Sequence, residues 1–246
     1  MDRLLYVAMS GADMASTSQI INGQNLANAS TPGFKADMIA FSEARLVGQG
    51  YDSRSFTRVS KIATNTEHGK IHATGRDLDV AINGGGWMAV QAQDGSEAYT
   101  RRGDLRIDSL GLLTNGEGRP ILGNGGPIAV PPHAKFEVGS DGTVSILPLG
   151  QNPSGLAVVD RIKLVSIDTQ FLQKGGDGLM RSTSVEPVLP DASVRISSGY
   201  LEGSNVSSVQ AMVEMIELAR AFEMQIEMMN VAKELDQSAS QLMKMT

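Results

Sequence analysis

The chain has 246 residues, enough for one large domain or two ordinary ones, and a globule of this length buries roughly 70–75% of its unfolded surface. Its 21 basic and 27 acidic residues give a net charge of -6, with no phosphate-neutralising excess, which excludes nucleic acid as a partner. Cysteine is absent, excluding disulfides, thiolate metal sites and a cysteine nucleophile while leaving the redox compartment open. The apolar run 4–9 is too short for a secretory signal and lacks a positive lead, so no cleavable signal peptide is expected. No run approaches the length of a membrane span, and composition alone points to a cytoplasmic protein.

In chain order, residues 1–30 contain only Gly11 and Gly23 as breakers and predict a helix over 2–28. Leu5, Ala8, Met9, Ala12 and Ile20 supply a thin apolar face, and the remainder is mostly small, including Ser10, Gly11, Ala15, Ser16, Thr17 and Ser18. Small residues let helices approach closely. An interior glycine nevertheless costs about 1 kcal/mol relative to alanine, so the segment is marginal alone and is expected to order only on assembly. Asn22, Asn25 and Asn28 recur every third residue as a polar edge, either solvated or hydrogen-bonded to a neighbouring subunit. The helix stops at Ser30-Thr31-Pro32-Gly33, which proline cannot continue.

Residues 31–76 are mixed and polar, with Ser53, Ser55, Thr57, Ser60, Thr64 and Thr66 among them, and predict an extended linker or loose hairpin. Residues 77–203 hold 20 of the 27 glycines and eight of the nine prolines, so this zone is turn-rich. Short strands are expected at 78–82, 87–91, 98–101, 105–107, 144–146 and 161–167. Asp94-Gly95, Asn115-Gly116 and Asp141-Gly142 mark turns between them.

Residues 204–246 contain neither glycine nor proline and predict a helix over 205–243, about 58 Å long at 1.5 Å per residue. Met212, Met215, Ala219, Phe222, Ile226 and Met229 follow the alternating three- and four-residue spacing of a helical seam. Met228, Ala232, Leu235, Ala239 and Leu242 resume it one residue back, as a nearly straight helix requires. A second stripe of Val206, Val209, Val213 and Ile216 occupies another face, so two neighbours are implied. Ser207 and Gln210 have the spacing of a capping box, with Ser204 or Asn205 as the alternative caps. Methionine, concentrated in this zone, fills irregular gaps in such a seam.

Candidate chemistry fails on spacing. His68 and His72 stand four apart, but Gly69 lies between them and no third ligand accompanies them, while His133 reads as an exposed loop residue. Gly84-Gly85-Gly86 precedes a strand rather than a helix, which favours a tight turn over a phosphate loop. Asp77 and Asp79 read as water-facing neighbours on one strand face. No catalytic residue, metal site or cofactor site is assigned, and no small-molecule substrate is expected.

The run Asn25-Leu26-Ala27-Asn28-Ala29-Ser30-Thr31-Pro32-Gly33-Phe34 resembles the N-terminal signature of the bacterial flagellar rod and hook proteins. Leu201-Glu202-Gly203-Ser204-Asn205-Val206, followed by Met212-Val213-Glu214-Met215-Ile216, is similar to the C-terminal signature of that family. Within it, Arg220-Ala221-Phe222-Glu223-Met224-Gln225, the stretch around Trp87 and the run from Ala98 to Gly103 look more like the proximal than the distal rod protein.

The resemblance implies an α+β fold in which N- and C-terminal helices pair in a coiled-coil-like bundle. A linker (31–76) and an outer mainly-β domain (77–203) are inserted between helical zones 1–30 and 204–246. It further implies a structural subunit of the flagellar basal-body rod, partnered by itself and other axial proteins. Export would use the flagellar type III apparatus without a cleaved signal, delivering the chain to the rod in the periplasm and overriding the cytoplasmic expectation. Assembly roles fall on Asn25 to Phe34 and on 201–225. A β domain that binds glycan on a helical stalk is the rival reading, opposed by one Trp, four Tyr and six Phe.

Overall fold

The structure, a computed structural model, describes residues 3–45, 55–149, 155–184 and 186–244. Contacts divide the chain into two units: Met1–Ala29, Ala36–Asn65 and Val206–Thr246 form one, and Ser30–Lys35 with Thr66–Asn205 form the other. The architecture is α+β, with a helix toward each end and a mainly-β body.

The helical unit contains α1 (Arg3–Ala27), a hairpin of β1 (Asp37–Arg45) and β2 (Ser55–Thr64), and α2 (Ser208–Lys244). At 37 residues α2 is about 55 Å long. Ser207 caps it, its Oγ accepting the Gln210 N–H at 3.4 Å. The two helices run antiparallel along each other, since Asn22 meets Ala211 while Gly11 lies against the Gln225 side chain.

On α1 the buried apolar residues are mostly small, Ile21 being the large one. Ala8, Ala12 and Ala15 of α1 are buried, and α2 buries or half-buries Ala211, Met215, Leu218, Phe222, Gln225, Met229 and Ala232, again at alternating spacings of four and three. The expected seam is therefore displaced. Met215, Phe222 and Met229 belong to both stripes, but Met212 and Ile226 are exposed, and Ala211 and Gln225 hold their places in the packed one. Alanines at the centre bring the axes close, and large side chains beside so narrow a contact are pushed to its flanks. The same reasoning turns Leu5, Met9 and Ile20 of α1 outward. The N-terminal segment is helical and packs along α2 of the same chain.

The asparagine edge makes hydrogen bonds within the chain, those of Asn22 and Asn25 reaching other elements and that of Asn28 lying exposed on its own helix. Asn22 Nδ2 donates to the Ala211 carbonyl at 2.7 Å, and Asn28 Nδ2 donates to the Gln24 carbonyl at 2.9 Å. Asn25 binds both main-chain groups of Asp37, donating to its carbonyl at 2.8 Å and accepting its N–H at 2.9 Å, as a neighbouring strand would. The β1–β2 pair is antiparallel, running from Asp37 opposite Thr64 to Arg45 opposite Ser55, with a register shift at Ala40/Phe41. Ser53 lies outside the described residues.

The β unit is built from β3 (Ile71–Ala73), β4 (Val80–Asn83), β5 (Trp87–Gln91), β6 (Glu97–Thr100), β7 (Arg106–Ile107), β8 (Leu113–Thr114), β9 (His133–Val138), β10 (Thr143–Pro148), β11 (Ala157–Arg161), β12 (Leu164–Val165), β13 (Leu172–Lys174), β14 (Met180–Ser182), β15 (Arg195–Ser198) and β16 (Tyr200–Glu202). The sheets follow the orders β12-β5-β6-β14-β13 and β11-β10-β9, with further pairs β15-β4, β16-β3 and β7-β8. Their shared core includes Met88, Leu105, Leu113, Ile121, Ile128, Ile162 and Ile196.

Three expectations are corrected here. The strand expected over 161–167 is broken: Arg161 ends β11, and only Leu164–Val165 continues, in a different sheet. Asp77 and Asp79 do not share a strand face, because a turn closed by Asp79 N–H on the Arg76 carbonyl carries Asp79 into the interior. His133 opens β9, its Nδ1 2.9 Å from the Pro131 carbonyl. Of residues 31–76, those at 36–65 lie with the helices and those at 31–35 and 66–76 with the β unit.

Candidate functional site

One group of sequence-selected residues lies on the outer face of the helical pair. Val209, Met212, Val213 and Ile216 occupy one side of the first two turns of α2, and Val209 is 73% exposed. Ile226 and Leu235 continue outward-facing along α2, and Tyr6, Met9 and Ile20 do so on α1. Ala219 is half-buried, as are Leu26 and Val206. Leu242 lies in α2 with its side chain outside the described residues. Each large aliphatic group left in water forgoes about 1.5–3 kcal/mol of burial, and exposed apolar surface of this kind is a candidate interaction face.

The other group draws the two terminal signatures together within the β unit. Thr31-Pro32-Gly33-Phe34 is a turn of the type II pattern: proline presets the second position, Gly33 takes φ 67° at the third, and the Phe34 N–H donates to the Thr31 carbonyl at 3.3 Å. A side chain at Gly33 would also overlap the main chain of Arg101, so glycine is required twice over. The Gly33 N–H donates to the Glu202 carbonyl at 2.8 Å, and the Asn205 N–H donates to the Phe34 carbonyl at 3.3 Å. Asn205 Nδ2 reaches the Glu67 carbonyl at 3.1 Å. Lys174 Nζ stands 4.0 Å from the centre of the Phe34 ring and donates to the Lys35 carbonyl at 2.8 Å. Ser204, half-buried, links β16 to Asn205.

Under this turn lies a buried charge cluster. The Glu202 side chain is 1% exposed; its Oε1 accepts Lys35 Nζ at 2.7 Å and the Gly69 N–H at 3.0 Å, and its Oε2 accepts Arg101 Nε at 2.7 Å. Lys35 Nζ also donates to the Glu67 carbonyl at 2.7 Å. Arg101 Nη2 donates to the carbonyls of Ile82 and Gly84 at 3.2 and 2.8 Å, and its guanidinium lies 5.8 Å from the Trp87 ring centre. Gly69 packs so closely on the Gly203 carbonyl that no side chain fits there.

Burial pushes the Glu202 carboxyl upward, but the hydrogen bond from Lys35 and the charges of Arg101 and Lys35 outweigh it and hold the group below its usual range. Lys35 is lowered, burial prevailing over the attraction of Glu202. His68, beside the cluster, is lowered by burial first and by the Arg101 charge second. Every charged partner is engaged by neighbours and shut off from solvent, so the cluster is arranged to hold backbone segments in place, with no group poised to attack or exchange protons with a substrate.

Sequence reasoning passed over Lys35, Arg101 and Glu202, although Lys35 directly follows Phe34 and Glu202 stands inside the second signature. The available signal was Lys35, the first charge after the uncharged run 25–34, and Glu202, the one charge in 201–206. Among the described residues no group of three or more His, Asp or Glu is placed to hold a metal ion, and His72 lies exposed on β3. No described helix is long and apolar enough to cross a membrane.

Antiparallel terminal helices with an outward apolar face, joined to a β unit whose most elaborate polar site is a backbone clamp, define a structural protein. Residues 5–35 match the family described as flagella basal body rod protein, residues 81–146 the flagellar hook protein FlgE/F/G D1 domain, and residues 197–242 the flagellar basal body rod FlgEFG protein C-terminal family. The flagellar basal-body rod protein FlgF of Salmonella typhimurium is 40% identical, with all of both chains covered, and that of Caulobacter vibrioides is 36% identical over 97% of each. The rod protein FlgG of Bacillus subtilis is 31% identical over 95% of this chain and 96% of its own. The chain belongs to the flagellar basal-body rod protein family; it is a structural subunit of the basal body and not an enzyme.

Proposed function

We propose that this chain is a subunit of the proximal rod. It polymerises with itself and other axial proteins through its terminal helices, and the resulting shaft carries motor torque across the periplasm. The single observation that carries this reading is the outward apolar stripe of Val209, Met212, Val213 and Ile216, which the chain's own α1 leaves uncovered. A second subunit's helices, set beside α1 and α2 in a coiled-coil-like bundle, would bury it. Delivery is by the flagellar type III apparatus without cleavage of a leader.

A distal-rod role is the second reading, favoured by the full-length similarity to the Bacillus subtilis FlgG protein. Expression of a tagged copy in cells lacking the native gene, followed by isolation of basal bodies, tests both. The full chain is expected in the rod segment next to the motor, whereas a chain lacking 210–246, or carrying Ile216→Asp, is expected to be absent from it. Rods of normal composition built with either variant would overturn the assembly role. Recovery in the segment nearest the hook would replace the proximal assignment with the distal one.

A further inference from the structure

The chain passes between its two units at four points, 29/30, 35/36, 65/66 and 205/206. On the β side these passages are the segments 30–35, 66–69 and 202–205, and all of them converge on one residue. Glu202 takes Lys35 from the first and the Gly69 N–H from the second, and its own main chain belongs to the third. Its carbonyl also holds Gly33, two residues before Lys35. Arg101, anchored on the carbonyls of Ile82 and Gly84, ties the carboxylate to β4 and the following turn in the interior of the β unit.

We infer that Glu202 is the positioning residue of this junction: its carboxylate, shared between Lys35 and Arg101, locks the passages to one another and to the β core, so that load carried along the chain reaches the β unit through a rigid anchor. A buried ion cluster is a poor source of net stability, because desolvation consumes most of the attraction, but it admits one arrangement of its hydrogen-bonding partners. Apolar side chains of equal volume would pack here without fixing the Gly69 N–H, the Lys35 side chain or the Arg101 fork. A structure that only needed to fold had the cheaper solution available.

This inference rests on the rod reading for its physiological role, and its test separates the two. Full-length wild type, Lys35→Met and Glu202→Gln are compared by amide exchange and, in cells, by basal-body incorporation and motor rotation under high viscous load. Lys35→Met removes one cation and leaves Glu202 neutralised by Arg101. It is expected to keep wild-type protection at core amides such as Val90 and Ile121, to raise exchange at Gly33 and Gly69 by about tenfold or more, and to enter rods that fail under load. Glu202→Gln leaves two facing cations and is expected to show the same local release to a greater degree. Should that variant not fold, Lys35→Met alone decides.

Wild-type exchange at Gly33 and Gly69 in Lys35→Met would overturn the inference. So would released amides with normal rotation under load. Absence of the wild-type chain from basal bodies would instead overturn the rod reading, with the exchange comparison still deciding the clamp.

Discussion

Among the described residues the buried apolar side chains of the β unit are mostly large, among them Met88, Leu105, Leu113, Ile121 and Ile162, whereas in the helical unit they are Ala8, Ala12, Ala15, Ala211 and Ala232, with Ile21 as the one large member. Many other large apolar groups of the helices, from Tyr6 and Met9 to Val209, Ile216 and Leu235, face outward. Among the described residues the large side chains gathered into buried clusters belong to the β unit. A helical pair that joins largely through its alanines leaves large apolar groups exposed, and the proposed polymerisation would bury them.

The sharpest way to break this contrast is to place a charge on each side of it. Ile121→Asp puts an unpaired carboxylate in the β core and is expected to cost more than about 4 kcal/mol, read as loss of the cooperative thermal transition. Acid should act next. Glu202 has a folded value below its ordinary 4.5, so its contribution is complete above that value and is lost as pH falls through the depressed one, leaving Lys35 and Arg101 buried without their anion. Stability of the β unit is expected to fall in that acidic window, and Glu202→Gln should flatten this part of the pH profile.

Gly33→Ala combines a positive φ with overlap on Arg101 and is expected to cost about 1–3 kcal/mol by denaturant titration, the loss falling on the β unit. Asn22→Ala frees the Ala211 carbonyl, which retains its helical position, so about 1 kcal/mol is expected, seen as faster amide exchange along α1. The smallest effect on the dilute chain belongs to Val209→Asp, within about 0.5 kcal/mol, although the same change should exclude the subunit from rods. A large loss of stability from Val209→Asp would show that α2 is covered within the chain and would remove the contrast.

The helical ends, the turn-rich middle and the class of protein were legible in the residues, because glycine and proline distribution and helical periodicity are local properties. The seam was legible only in part. Periodicity locates apolar stripes without saying which one a partner will take, and here α1 chose the stripe through Ala211, Leu218 and Gln225 beside the more apolar one through Met212, Ala219 and Ile226. The asparagine edge stayed open in the sequence for a related reason: Asn22 and Asn25 are polar on a helix surface, but the backbone groups they bind belong to Ala211 and Asp37, which only folding brings near.

What the sequence by itself determined was where the chain is helical, where it must turn, and that the Thr31-Pro32-Gly33 stop could not continue a helix. Tertiary structure alone decided that Lys35, Arg101 and Glu202, separated by 66 and 101 positions along the chain, would meet in one buried cluster. Local preference depends on each residue and its near neighbours, while the burial of a charge is tolerable only where distant partners arrive together, and that convergence is a property of the whole β unit.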